Sequence, residues 1–118
     1  MILVGIGGAV GAASRYLAGI WIGKMTGTKF PYPTMFINIA GSFLLGILTG
    51  FRLTQSLAEW SWLLLGVGFC GAFTTFSTFG YEAIQLFLSK QSVKAYLYIA
   101  ASTIICTIFA FIGIQIII

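Results

Sequence analysis

Residues 71–80 read GAFTTFSTFG and place hydroxyl side chains in the middle of an apolar run that spans residues 59–88. A continuous helix over that run would be about 45 Å long at roughly 1.5 Å per residue. The hydrocarbon core of a bilayer is only about 30 Å thick. Tilt can absorb part of this excess, but glycines loosen a helix and threonine hydroxyls can bond freed backbone groups. We therefore expect the helix to break in the middle of the bilayer.

A break at this depth would change what the backbone can bind. Non-helical backbone inside a membrane is tolerated only where it is buried in protein or lines a water-filled cavity. Carbonyl groups that lose their helix partners are ready ligands for a cation. The stretch 71–80 is therefore a candidate ion site as well as a structural interruption.

The composition of the chain indicates that its solvent is lipid. Of the 118 residues, 59% are hydrophobic and 7% are charged, whereas about a quarter of the residues of a soluble domain are charged. We expect an all-α membrane protein with one domain, residues 1–118. Its four transmembrane helices are predicted at about residues 1–22, 32–50, 59–88 and 95–118, since roughly 20 apolar residues cross a bilayer.

The basic residues are scattered between the apolar runs. Loops one and three would carry Lys24, Lys29, Lys90 and Lys94, and loop two carries Arg52. The positive-inside rule predicts that the lysine loops face the cytoplasm. A nucleic-acid surface would need these charges clustered, so no nucleic acid is expected as a partner.

Nothing in the sequence indicates an enzyme. The chain has no histidine. Residues 66–71 fit the dinucleotide pattern GxGxxG, but that pattern must follow a strand, and here it lies inside a membrane span. Cys70 and Cys106 both lie in apolar runs, where we interpret them as small buried hydrophobic residues.

Two spans carry polar residues at helical spacing, which aligns them on one face. The first set is Thr34, Asn38 and Ser42, and the second is Tyr98, Ser102 and Cys106. Polar groups at depth are costly and usually mark function, so these faces are candidates for lining a pore. The alternative is that they bond neighbouring helices, or bond back to the carbonyl of their own preceding turn.

The phenylalanines of the third span recur every three residues, at Phe73, Phe76 and Phe79. A phenyl ring has a positive edge, and edges aimed into a narrow passage would favour a small anion. Simple packing, or contact with lipid, is the alternative for all three.

The placement of charge favours passive conduction over proton coupling. Apart from Glu82, no acid lies well inside a span, and a proton-coupled transporter normally needs an ionisable relay at depth. Arg15 and Glu82 are expected near the mouths of wet vestibules. For both, the alternative is that the long side chain reaches back to the lipid headgroups.

Three segments resemble the Fluc (CrcB) family of fluoride ion channels, and the resemblance covers nearly the whole chain. They are GGAVGAASRY at 7–16, NIAGSF at 38–43 and, most specifically, GAFTTFSTF at 71–79. The resemblance implies an antiparallel dual-topology homodimer with two pores in the cell membrane. It also implies a passive channel, selective for fluoride, through which the cell exports the ion.

The resemblance also implies roles for individual residues. The pore would be lined by Asn38, Phe76, Phe79, Tyr98 and Ser102, with Thr34 as a further donor and Arg15 in a vestibule. A structural sodium ion, which is not transported, would lie at the dimer centre. Its ligands would be main-chain carbonyls of Gly71 and Thr74 from both subunits.

Two features of the sequence leave alternatives open. Cys106 stands where the polar track of the fourth span would continue with a hydroxyl. The four-to-one bias of the loop charges is large for a chain that inserts in both directions. The chain could therefore be one half of a heterodimer of oppositely biased chains.

Two other classes of protein share some of these features. A small multidrug-resistance exporter has a similar length and four spans, but it needs a glutamate in the first span. The first span here contains Arg15 and no acid. A non-conducting assembly subunit is the second, and it would have no need of a broken helix with hydroxyls at depth.

Overall fold

The computed structural model describes residues 1–27 and 30–118, and all the regular structure within them is helical. Helix α1 is Ile2–Thr26 and α2 is Tyr32–Leu53. The third, α3 (residues 59–73), has three consecutive pieces: Glu59–Ser61, Trp62–Cys70 and Gly71–Phe73. Helix α4 is Phe76–Leu88 and α5 is Ser92–Ile117.

The prediction of four membrane spans is confirmed. Four helical stretches are long and apolar enough to cross a membrane, with α3 and α4 together forming the third. Their outer faces carry large exposed apolar side chains, among them Leu17, Trp21 and Phe111. A surface of this kind is stable in lipid and not in water, so the chain is a membrane protein.

The helices extend further than the apolar pattern indicated. Helix α1 continues to Thr26 and is closed by Gly27, whose positive φ of 60° lets its N–H bond the carbonyl of Gly23. Helix α2 continues to Leu53, and α5 begins at Ser92. The expected first loop is correspondingly shorter, and the loop position predicted for Lys29 lies outside the described residues.

Helix α3 contains a feature that the sequence did not predict. Residues Trp62–Cys70 are wound as a π-helix, a form with i→i+5 hydrogen bonds that is rare and usually limited to one turn. A π-helix takes more residues per turn than an α-helix. It therefore shortens the segment and takes up part of its excess length.

The helical path is interrupted between α3 and α4. Thr74 and Thr75 both have extended backbones, with φ and ψ of −76° and 156° for the first and −144° and 122° for the second. The Oγ1 of Thr75 accepts a hydrogen bond of 3.2 Å from the N–H of Thr78, which makes Thr75 the N-cap of α4. The Oγ1 of Thr74 donates to the carbonyl of Cys70 at 2.9 Å and so closes α3.

Glycines bring the helices into backbone contact. In the extensive packing of α2 on α5, Gly46 lies against the carbonyl of Ala110 and Gly113 against that of Phe43. Helix α1 approaches α3 in the same way, through Gly7. In a membrane, helices associate largely through such close packing. The result is a bundle that fixes α2, α4 and α5 around the interruption.

Candidate functional site

The interruption is held by the side chain of Asn38, on α2. The N–H of Thr75 donates to Oδ1 of Asn38 at 2.8 Å, and Nδ2 of Asn38 donates to the carbonyl of Thr75 at 3.1 Å. An amide side chain matches both polar groups of a peptide unit, so asparagine suits this position. One N–H of the Asn38 amide remains available, because Nδ2 carries two.

An open cleft of about 320 Å³ lies beside this pair of hydrogen bonds. Three parts of the chain line it: α2, the interruption with the start of α4, and the middle of α5. It brings together four of the residues predicted to line a pore, together with Thr74 and Cys106. Its lining residues are Asn38, Ser42, Leu45, Thr74, Thr75, Phe76, Phe79, Ser102, Thr103 and Cys106.

The two predicted phenylalanines differ in their surroundings. Phe76 is 83% exposed, whereas Phe79 is half-buried. Their ring centroids are 6.1 Å apart with the planes inclined at 41°. Phe79 also contacts the ring of Tyr98, with centroids 5.0 Å apart. Phe76 is thus the more open ring of the cleft, and Phe79 joins the cleft to the packed core.

Ser102 is buried and its hydroxyl has no partner among the residues that the structure describes. The alternative considered for the α5 hydroxyls was a bond back to the preceding turn, and Thr107 makes such a bond to the carbonyl of Thr103 at 2.7 Å. Ser102 does not. A buried hydroxyl without a partner is unusual in proteins, and this one belongs to a residue that lines the cleft.

A second cleft, of about 310 Å³, lies on the other side of the interruption. Arg15 of α1, Thr34 of α2 and Thr78 of α4 line it. Thr75 lines both clefts, so the interruption separates them. Within the described part of the chain, Arg15 forms no ion pair; the one salt bridge there joins Arg52 and Glu59. The second cleft therefore has an uncompensated positive charge in its wall.

Tyr98 and Glu82 form a pair away from the wall of either cleft. The hydroxyl of Tyr98 donates to Oε1 of Glu82 at 3.2 Å. Tyr98 is fully buried, in a cluster with Met35, Ala83 and Ala95. Tyr98 thus lies deeper than its expected position beside Ser102 implies, and it contacts Phe79 in the wall of the first cleft.

The carbonyls of Gly71 and Thr74 lose their helix donors at the interruption. The N–H of Thr75, which would bond Gly71 in a continuous helix, donates to Asn38 instead. The N–H of Thr78, which would bond Thr74, donates to the Oγ1 of Thr75. No group of three or more acidic, histidine or cysteine side chains within 1–27 and 30–118 could hold a metal ion. The two main-chain oxygens are therefore candidate ligands for a hard cation in this region.

One important residue escaped the sequence analysis. Thr75 caps α4, pairs with Asn38 and lines both clefts, yet it was not singled out from the other hydroxyls of 71–80. Threonine is a preferred N-cap, so a residue of this type just before a helical stretch could have been identified. Its partner could not, because Asn38 is distant in sequence.

These features define a class: a four-span membrane protein with two clefts on either side of an interrupted third span. Residues 2–114 match the protein family described as "CrcB-like protein, Camphor Resistance (CrcB)". The chain belongs to this family, and the resemblance found in the sequence is confirmed.

Curated relatives agree with this assignment. "Fluoride-specific ion channel FluC 2" of Bacillus cereus (strain ATCC 10987 / NRS 248) is 49% identical over 114 residues, covering 97% of this chain and 93% of the relative. The protein of the same name from Clostridium acetobutylicum is 48% identical over 103 residues, covering 87% and 85%. "Fluoride-specific ion channel FluC" of Nitrobacter winogradskyi is 41% identical over 118 residues, covering 99% and 94%. The family is one of ion channels and not of enzymes.

Proposed function

We propose that this chain forms a fluoride-selective channel through which a cell passively exports fluoride across its plasma membrane. The names of its relatives support the choice of ion. The observation that carries the proposal is the first cleft, where the unpartnered hydroxyl of Ser102 lies in one wall with Asn38 and the rings of Phe76 and Phe79. Such a lining offers donors and ring edges to an anion, and no carboxylate to repel it.

The physical task of this lining is to replace water around a small anion. The remaining N–H of Asn38 and the hydroxyl of Ser102 would donate to fluoride. The edges of Phe76 and Phe79 would supply weaker positive potential. Thr34 and Arg15, in the wall of the second cleft, would attract the ion toward the interruption. Several weak sites suit conduction, because an ion held too tightly at one site would not leave.

The open side of the first cleft supports a dimer. The polar side chains of this face and the interrupted backbone beside them would be unfavourable against lipid. A second, antiparallel copy would cover it, place the interruption at mid-membrane and complete two pores. The assembly proposed is an antiparallel homodimer, and the alternative is a heterodimer with an oppositely oriented relative.

The carbonyls of Gly71 and Thr74 fit a structural sodium ion at the centre of that dimer. Both have lost their helix donors, and Gly71 lies on an exposed face. Main-chain oxygens are suitable ligands for a hard cation. Bound there, sodium would supply a positive charge that holds two interrupted helices together. In this proposal it remains in place and is not transported.

Glu82 is proposed to lie near a vestibule because it is half-buried, although it lines neither cleft, and its carboxylate accepts the hydroxyl of Tyr98. This bond argues against the alternative in which Glu82 reaches into the lipid headgroups. The rival function, proton-coupled export of cationic drugs, is disfavoured because α1 contains Arg15 and no acid.

Fluoride flux from liposomes tests the proposal directly. Purified full-length protein should release fluoride and not chloride, in the absence of a pH gradient. Phe76→Ile and Phe79→Ile should lose most of this flux while the dimer persists on size-exclusion chromatography. Phe111→Ile, at a 61% exposed position on α5 outside both clefts, is the matched control and should conduct normally. Equal chloride flux, or flux that requires a pH gradient, would overturn the proposal.

A further inference from the structure

The first cleft contains a thiol as well as hydroxyls. Cys106 is a half-buried free cysteine and lines the cleft beside Ser102. The other cysteine, Cys70, is 1% exposed and lines neither cleft. The two cysteines of the chain thus differ sharply in access, although both lie in apolar runs and were interpreted alike from the sequence.

Ser102 gives an independent reason to expect a small ion or a water molecule close to this thiol. Its hydroxyl is buried without a partner among the described residues, although nearly all buried polar atoms have one. Cys106 follows at i+4 on the same helix face, about one turn of roughly 5.4 Å further along. A small ion or water that reaches Ser102 is therefore within one helical turn of the sulfur.

Sulfur selects a different kind of ion from the oxygens around it. Thiolates are soft ligands and bind soft metal cations, whereas hydroxyl and carbonyl oxygens prefer hard ones. The lining of the cleft contains no carboxylate, and the chain contains no histidine to compete. Cys106 is therefore the one strong soft ligand in the described wall of this cleft.

We propose that Cys106 is a binding site for a thiophilic metal cation of the Ag⁺ and Cu⁺ class, and that metal bound there closes the cleft to anions. On binding, the S–H bond releases its proton to water and sulfur bonds the metal, with no change of oxidation state. The oxygen of Ser102 supplies a second, weaker ligand. Closure, though not metal binding itself, rests on the proposed channel function.

The closure is tested by fluoride flux from liposomes in chloride-free buffer, with Ag⁺ added as its nitrate. Wild-type protein should lose its flux. Cys106→Ser, measured against its own flux without silver, should need at least about tenfold more Ag⁺, because it lacks the soft ligand. Cys70→Ala removes the inaccessible thiol and should remain as sensitive as wild type. Equal sensitivity of Cys106→Ser and wild type, or resistance of Cys70→Ala, would overturn closure through Cys106.

Binding is tested separately on the full-length protein in detergent. Methyl methanethiosulfonate should modify Cys106 and leave Cys70 unmodified, as read by mass spectrometry, and Ag⁺ should protect Cys106 from the reagent. Protection in a protein that conducts no fluoride would support the metal site while the proposed function fails. Fluoride flux with neither block nor protection would overturn the metal site and leave the proposed function standing.

Discussion

Asn38 replaces a helix partner that the interruption removes from Thr75. The N–H of Thr75 cannot bond Gly71, because the chain is extended there, and it donates to Asn38 at 2.8 Å instead. Thr75 is buried, so this N–H would lose its protein partner if the asparagine were absent. Asn38 is therefore a positioning residue for the interruption as well as a proposed donor to the ion.

Substitutions at Asn38 should separate these two roles. Asn38→Ala leaves the N–H of Thr75 unsatisfied, which costs about 1–3 kcal/mol, and we expect both a lower unfolding temperature in detergent and loss of fluoride flux. Asn38→Asp still accepts from the N–H of Thr75, although it loses the donor to the Thr75 carbonyl, and it places a negative charge in the cleft. It should keep more of the stability and still lose the flux.

A control on the same helix is available for these variants. The hydroxyl of half-buried Thr49 donates to the carbonyl of Leu45 in its own helix at 2.7 Å, and Thr49 lines neither cleft. Thr49→Ala should change neither flux nor unfolding temperature. An Asn38→Ala protein as stable as wild type would show that the bridge to Thr75 does not hold the interruption.

At the scale of the helices, the contact between α2 and α5 depends on the absence of a side chain. A Cβ on Gly46 would lie 3.0 Å from the Cα of Ala110 and closer still to its carbonyl oxygen. A clash with backbone atoms cannot be relieved by a change of rotamer, as a clash with a flexible side chain can. The glycine at position 46 therefore allows the close approach of α2 and α5, the two helices that carry Asn38 and Ser102.

Gly46→Ala should consequently destabilise the bundle by about 1–3 kcal/mol, as overpacking does elsewhere. Gly5→Ala is the matched control, because a Cβ at Gly5 meets nothing within 4 Å. Replacing that glycine in the interior of α1 should be neutral or should stabilise by about 0.5–1 kcal/mol. Thermal unfolding in detergent would compare the two, and equal effects would contradict backbone contact as the cause.

The sequence predicted these helices better than it predicted their connections. The four spans follow from apolar runs, which the bilayer imposes directly. The hydroxyls of 71–80 pointed to the segment in which Thr74 and Thr75 are extended. The π-helix of Trp62–Cys70 was missed, since no local pattern distinguishes it from an α-helix. The pair Asn38 and Thr75 was missed because it arises from packing between distant parts of the chain.

Within the candidate site, helical spacing put Ser102 and Cys106 on one face of α5, and both line the first cleft with Asn38. It did not place Tyr98 there. Tyr98 shares the i+4 spacing but is fully buried against α4, where Glu82 accepts its hydroxyl. Spacing along a helix identifies a face, but the neighbouring helix decides how much of that face stays open.

For the whole molecule, the distribution of charge affects the orientation in which the chain inserts into the membrane. Arg52, in the last turn of α2 and not in loop two as expected, pairs with Glu59 at 3.2 Å, and its guanidinium lies 4.7 Å from the centre of the Trp62 ring. The lysines Lys24, Lys90 and Lys94 have no such partner among the described residues. Acidic residues contribute little to orientation, so the lysines still favour one orientation by their count alone.

An antiparallel homodimer nevertheless requires both orientations in one membrane, and labelling can measure them. Ser56→Cys and Ser89→Cys place a thiol in loop two and in loop three without changing charge, both at exposed positions. A background of Cys70→Ala and Cys106→Ser removes the native thiols. In intact cells, an impermeant maleimide should label about half of each variant, because each loop would be outside in half of the copies.

One-sided labelling would contradict the homodimer. If Ser56→Cys were labelled fully and Ser89→Cys not at all, every copy would have its lysine loops in the cytoplasm, as the charges favour. The polar first cleft and the interrupted backbone beside it would still need an antiparallel neighbour. That neighbour would then have to be a different chain with the opposite charge bias, and the purified protein alone would conduct no fluoride until that chain was added.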